Sequence, residues 1–492
     1  MESSITLEMN NKESGGSLRA IASKSHAHRL LIAGALTLLQ DKEPIHIICN
    51  ETSADIEATC FCLKGLGIDI KTVEDGFLLS ARTDALYTDK NMSPLDTSFK
   101  DNSGNSTSSE YTSEGISENP AESTSLLDAG ESGSTLRFML PVIGMLGRNA
   151  AITTHGRLTE RPLSPLYEEM VSHGVSLSPQ GSNPLMISGK MSGGDFRIAG
   201  NISSQYITGL LFALPLGECD SRILIEGPLA SRPYVDITLD VLSLAGIRVK
   251  LIENPELLKN EPDISMIFEI PGSQTYSLPK ECTVEGDWSN AAFFLAAGAI
   301  KNSVTVEKLN LSSKQGDMAI LDLLQKFGAE VTFKPSVTGK TTDNADNIKT
   351  EQSRLSDVTV THKPLHGIEI DAENIPDLVP ILSLTASLAE GTTVIRNIER
   401  LRIKESDRVA TVIDTLTKLG ADIREEDKAL VIRGKNILNG GTVDSFNDHR
   451  IAMTAGIASL RCLNPVTITN EKAVNKSYPK FFEDLHSLEA GK

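Results

Sequence analysis

No acidic residue occurs between Gly15 and Gln40, in a chain whose formal net charge is -18. Long apolar runs are also missing: LRFMLPVIGML and AAFFLAAGAI reach only about half the length a bilayer span requires. Cysteine is scarce, with six residues scattered over 492. That pattern argues against a disulfide scaffold and fits reduced thiols in a cytosol. Cys60 and Cys62 form a lone C-x-C without a second pair, and read as buried small hydrophobes rather than metal ligands. His362 and His366 have helical spacing, but Pro364 between them breaks a helix, so both read as loop residues. The N-terminus, MESSITLEMNN, has neither the order of a secretory signal nor the arginine-rich composition of a transit peptide. The acidic balance argues against general nucleic-acid binding and against docking on anionic lipid. A soluble, cytoplasmic protein with no metal or organic cofactor is expected.

What is present is local positive charge. The acid-free stretch carries Arg19, Lys24 and Arg29, with His26 and His28 between them, at the front of an apolar helical run. A helix start adds free N–H groups and a partial positive charge, which suits a small anion. A focused cleft can be positive on an acidic protein.

The length implies two to four domains. A helical segment that ends in glycine and passes into strand-like alternation recurs at Gly67, Gly174, Gly246, Gly328 and Gly420. A truncated sixth copy is expected at FFEDLHSL. Such units predict an α/β repeat architecture. Two stretches interrupt it, 88–125 and 338–357. Both are rich in small polar residues and are read as loop insertions, the first as flexible.

Several apolar helical runs open on polar residues: Ser23–Lys24–Ser25, Glu131–Ser132–Gly133, Ser203–Ser204–Gln205, Gly286–Asp287, Ile375–Pro376–Asp377, Lys404–Glu405–Ser406–Asp407–Arg408 and Asn447–Asp448–His449–Arg450. Capping explains the Ser, Asp and Asn. It does not explain cations, which the helix dipole repels in a first turn. Lys24, Arg29, Arg137, Lys404, Arg408 and Arg450 are expected there, converging on one polyanion site.

These motifs, in order, resemble those of the 5-enolpyruvylshikimate-3-phosphate synthase (EPSP synthase) family of enolpyruvyl transferases. The segments are SKSHAHR, GESGSTLR, RLTERP, SSQYITGLL, SRPYVDIT, VEGDWS, IPD, RIKESDR, NDHRIAM and KSYPKFF. The resemblance implies two inside-out α/β barrel domains, each of three βαβαββ units, with the active site in the cleft between them. One domain would span 23–282; the other would join 1–22 to 283–492. The implied reaction transfers the enolpyruvyl group of phosphoenolpyruvate (PEP) to the 5-hydroxyl of shikimate 3-phosphate and releases phosphate. PEP contacts would come from Lys24, Gly133, Arg161, Gln205, Arg408, Arg450 and Lys476. Shikimate 3-phosphate would be met by Lys24, Ser25, Arg29, Ser203, Ser204, Gln205, Ser231, Tyr234, Asp377 and Lys404. Asp377 is the choice for the base at the 5-hydroxyl. Glu405 is the choice for proton traffic at C3, with Lys24 as a competitor. Taken without the family, Asp377 reads as an N-cap and Glu405 as a dipole partner. The family is monomeric, and Gly133 keeps the small residue beside which the inhibitor glyphosate fits.

Two positions depart from the family pattern: Glu131 and Arg400 each stand where asparagine is usual. The alternatives are the sister transferase acting on UDP-N-acetylglucosamine and a noncatalytic sugar-phosphate binder. The sister family carries a reactive cysteine before its Arg-Pro, and HGRLTERP has none. A binder has no need of Asp377 and Glu405 among the cations.

Overall fold

The computed structural model describes residues 3–8, 15–41, 43–82, 124–253, 262–336 and 355–488. Its described strands form five four-stranded sheets and one three-stranded sheet, each mixed, with helices between them. Most of both insertion stretches, 88–123 and 338–354, lies outside the described residues. Their C-terminal ends are not insertion: Ser125 opens the strand Ser125–Asp128, and Leu355 opens Leu355–Thr361. The polar composition hid both starts, because an edge residue of a sheet needs no apolar side chain.

All five glycines expected to stop helices have positive φ: Gly67 +96°, Gly174 +99°, Gly246 +75°, Gly328 +112° and Gly420 +98°. After the helix Ile320–Phe327 the Gly328 N–H bonds back to Gln325 and the Ala329 N–H to Leu324. These bonds satisfy carbonyls that the helix end leaves open. FFEDLHS forms the helix Phe481–Ser487. No described strand follows it. The N-terminal strand Ser4–Leu7 instead completes the sixth sheet, antiparallel to Val466–Thr469.

Two connections exchange strands. Gly15–Arg19 precedes the helix Lys24–Leu38 but pairs in parallel with Ser303–Asn310. Glu281–Thr283 precedes the helix Trp288–Ile300 but pairs in parallel with Ile45–Ile48. Elsewhere the strand before such a helix pairs with the strand after it, as Ser125–Asp128 does with Ala150–Thr153. The buried apolar side chains accordingly fall into two large clusters. One holds Leu7 to Ile21 and Trp288 to Leu488; the other runs from Ala22 to Val284. Helices Val379–Ser387 and His449–Ala458 are buried at every residue, as their all-round apolar sequences require. The sheets keep one face outward, as in Asp422–Glu426, where Ile423 alone is buried.

All six cysteines are free thiols, and Cys60 and Cys62 are buried. His362 and His366 are not helical; His362 Nδ1 bonds to the Ala299 carbonyl. Among the described residues no helix is long and apolar enough to cross a membrane.

The glycine stops differ in their surroundings. A Cβ at Gly67 meets nothing within 4 Å, whereas one at Gly328 lies 2.7 Å from the Pro364 carbonyl oxygen. Gly67→Ala should cost about 1 kcal/mol, from left-handed strain alone. Gly328→Ala should cost about 2–3 kcal/mol, strain plus collision. Equal urea midpoints for the two variants would remove the collision as a cause.

Candidate active site

The polar helix starts surround one cavity that opens to solvent. All seven contribute to its lining. Every residue expected at the site lines it except Lys476, which stands at the rim.

Ser23 caps the helix Lys24–Leu38, whose apolar side chains belong to the Ala22–Val284 cluster. The Lys24 ammonium bonds to Asp55 Oδ2 at 2.7 Å. Burial works against that charge, but Asp55 outweighs it, and the Lys24 pKa lies above the usual lysine value. Arg29 and Arg137 are not in first turns; each sits in the second turn of its helix. There the dipole opposes a cation less, because its effect fades beyond the first turn. Arg29 donates to Thr238 Oγ1 at 2.8 Å and to the carbonyls of Ser25 and Tyr234. Arg137 donates to the carbonyls of Gly133 and Pro162 and to Gln205 Oε1. Neither bonds a carboxylate among the described residues. Burial pulls Arg29 down to about 9 and Arg137 to about 10. Both are cations short of counter-charge.

Gly133 is where backbone must make way. A Cβ there would lie 2.6 Å from Arg137 Nη1 and 2.8 Å from Arg161 Nη1. Ser203 caps the helix Ser204–Ala213, and Ser204 and Gln205 open it. Ser231 precedes the helix Arg232–Leu244 with φ +57° and accepts from Arg400 Nη1 at 2.8 Å. Arg400 therefore lines the cavity beside three serines.

Asp377 lies in the short turn Pro376–Leu378 and makes no capping bond. Its carboxylate takes Arg408 Nη1 at 2.7 Å, Arg450 Nη2 at 3.3 Å and Lys404 Nζ at 3.5 Å. Tyr234 reaches across the cavity to donate to it at 2.9 Å. Burial opposes the Asp377 charge; Arg450, Lys404 and Arg408 outweigh it and hold the carboxyl well below its usual range. Glu405 accepts from Arg408 Nη2 at 2.7 Å, with Arg161 at 3.9 Å. It too is held well below the usual range, Arg408 and Arg161 overcoming burial. Lys404 precedes the helix Arg408–Lys418 instead of lying in its first turn. Burial lowers its pKa in spite of Asp377.

Several residues at the site are given no role there by the sequence. Asp55 is an ordinary first-turn acid of the helix Ala54–Gly65. Asp448, fully buried, caps His449–Ala458 and also takes Arg408 Nε at 2.8 Å. His449 lines the cavity, and neither ring nitrogen has a hydrogen-bond partner among the described residues. Burial, with Lys24 and Arg450 nearby, keeps it neutral. Asp317 hydrogen-bonds Ser289 beside the cavity.

Fold and site together define an α/β protein with a cleft lined by buried cations, among which two ionised carboxylates are set. Comparison makes this specific. A family profile described as EPSP synthase (3-phosphoshikimate 1-carboxyvinyltransferase) matches residues 97–485. The chain is 37% identical over 479 residues to the 3-phosphoshikimate 1-carboxyvinyltransferase of Clostridium novyi, covering 97% of this chain and 95% of that one. It is 38% identical over 476 residues to the Clostridium acetobutylicum enzyme, covering 96% and 95%. The solved EPSP synthase of Acinetobacter baumannii shares the fold, with a TM-score of 0.71 at 22% identity over 98% of this chain and 97% of that one. The enolpyruvyl transferase NikO of Streptomyces tendae follows at 0.66 and 16% identity, covering 99% and 98%. The chain belongs to the EPSP synthase family. Its activity is 3-phosphoshikimate 1-carboxyvinyl transfer, a step of the shikimate pathway to aromatic amino acids.

Asp317 generates a pH prediction. Burial and the neighbouring Asp377 push its carboxyl up to about 7. An unfolded Asp titrates near ~3.9. Between these values the folded chain holds a proton that the unfolded chain releases, so this contribution to stability falls as pH rises. Asp317→Asn should lose less Tm than the parent between about pH 5 and pH 8. Parallel Tm–pH profiles would contradict the assignment.

Proposed function

We propose that PEP and shikimate 3-phosphate bind side by side in this cavity and react there. The reading is carried by one observation: Asp377 and Glu405 stand ionised among Lys404, Arg408, Arg450 and Arg161 in the cavity. Arg29, Arg137 and Arg400 line the same cavity without carboxylate partners among the described residues. Two anionic reactants repel one another, and pressing them together requires surplus cation on both sides.

The 5-hydroxyl attacks C2 of PEP while C3 gains a proton, giving a tetrahedral ketal. Loss of a C3 proton then expels phosphate. Asp377 takes the proton of the attacking hydroxyl. A carboxylate bound to three cations is a poor base, so its basicity rises as Lys404 and the arginines turn to the substrate anions. Glu405 and Lys24 are the two candidates for proton traffic at C3. Gly133, Arg161, Gln205, Arg408, Arg450 and Lys476 hold PEP with Lys24. Ser25, Arg29, Ser203, Ser204, Ser231, Tyr234 and Lys404 hold shikimate 3-phosphate with Lys24, Gln205 and Asp377. Serine hydroxyls at the start of Ser204–Ala213 suit the 3-phosphate, and the arginine forks suit carboxylate and phosphate.

The domains proposed are 23–282 and 1–22 joined to 283–492, each an inside-out α/β barrel of three βαβαββ units with the site between them. Two separate apolar clusters and two strand-exchanging connections support this division. Domain closure on binding would exclude water from the reacting groups. One chain supplies the whole site, which suits a monomer. Six free thiols suit a reducing cytoplasm.

Phosphate release from PEP plus shikimate 3-phosphate tests the reading. Release with UDP-N-acetylglucosamine instead would assign the sister reaction, and no release with either would leave a binder. Asp377→Ala should retain ligand binding while kcat falls by about 10²-fold or more; near-normal kcat would take it out of the base role. Glyphosate should compete with PEP, since Gly133 leaves room beside Arg137 and Arg161. Inhibition independent of PEP concentration would refute that.

A further inference from the structure

Glu131 stands where the family pattern has asparagine, and none of the roles above uses it. It lies in the turn before the helix Gly133–Met145, on the 23–282 side. Its carboxylate reaches the opposite side. Oε2 accepts from Lys476 Nζ at 2.8 Å, and both oxygens accept from Asn447 Nδ2 at 3.1 Å. Lys476 Nζ also donates to the Asn447 carbonyl at 2.5 Å. The Lys476 side chain is 11% exposed and that of Glu131 29%, so the lysine is largely shielded from water while the carboxylate is partly open to it. The surroundings are cut to the carboxylate. Gly156, at φ +53°, backs onto it, and a Cβ there would come within 2.5 Å of Oε2. None of Glu131, Asn447 and Lys476 lines the cavity; they sit outside it, as a rim.

We propose that Glu131 is a positioning residue: it clamps the two sides of the cleft together at the rim and fixes the Lys476 ammonium, so that PEP meets a cation already in place. Separating the two sides breaks a charge-assisted bond and two amide bonds at once. A site competent in only part of the population binds its ligand more weakly by that fraction. Losing the clamp therefore weakens PEP binding without touching PEP.

The role of PEP rests on the proposed reaction; the clamp itself does not. The test uses the full chain and two readouts. Small-angle scattering of the chain saturated with shikimate 3-phosphate, the closed form, reports opening through the radius of gyration, and steady-state kinetics report KM for each substrate. Glu131→Ala should enlarge the radius of gyration and raise KM for PEP about ten-fold, with a smaller change in KM for shikimate 3-phosphate. Glu131→Gln, which keeps the shape and the acceptor, should show the same changes at lower amplitude. The charge-reversed pair Glu131→Lys with Lys476→Glu should restore the parental radius while KM for PEP stays high. An unchanged radius, an unchanged KM for PEP in Glu131→Ala, or a reversed pair as open as the single variants would each overturn the clamp. A parent chain that releases no phosphate would sink the proposed reaction and leave the scattering result standing.

Discussion

The site depends on a buried guanidinium. Arg408 is 1% exposed at its side chain, and three carboxylates hold it: Asp448, Asp377 and Glu405. A buried cation left without any partner is strongly destabilising, and here three carboxylates share that duty. Burial opposes the Arg408 charge, and Asp448, Glu405 and Asp377 outweigh it, so it stays charged. Through that one side chain, three helix starts are held in register. Arg408 opens its own helix, Asp448 caps the next, and Asp377 precedes a third. The two acids given proton transfer in the proposed reaction are thus two of the three that hold the arginine in place.

The cleft is uneven in its compensation. Arg408 and Arg450 are matched by carboxylates, whereas Arg29 and Arg137 bond only neutral oxygens. Matched cations stabilise the free protein. Unmatched ones keep their charge for a ligand, and burial has already lowered their pKa values. The two departures from the family pattern differ in the same way. Arg400 adds a cation that bonds Ser231, whereas Glu131 adds an anion against Lys476.

The exchanged strands explain how one chain frames a cleft. Gly15–Arg19 and Glu281–Thr283 each belong to a sheet on one side and lead to a helix on the other. Each crossing is tied at the next turn. The Lys24 N–H bonds to Asp287 Oδ2, and the Ser23 N–H bonds to the Glu285 carbonyl. The helix starts at Lys24 and Trp288 are therefore adjacent, and both feed the cavity. A chain that crosses twice cannot separate its halves without bending at these two points.

The sequence by itself determined what is local. Caps, glycine stops and apolar periodicity act within one or two turns, so the seven polar helix starts and the five helix-stopping glycines could be read from their neighbours. Motif order carried the family. The exceptions are also physical: Arg29, Arg137 and Lys404 lie a turn from where their spacing to the apolar run suggests, because helix boundaries follow backbone capping and not charge. Only the tertiary structure decided the partners. Lys24 with Asp55, Arg408 with Asp448, and Glu131 with Lys476 join residues 31, 40 and 345 positions apart. Each is a bond of a few ångströms between groups that no local pattern relates. Lone acids such as Asp55 and Asp317 look like any solvated carboxylate until packing removes their water, and desolvation is a property of the fold.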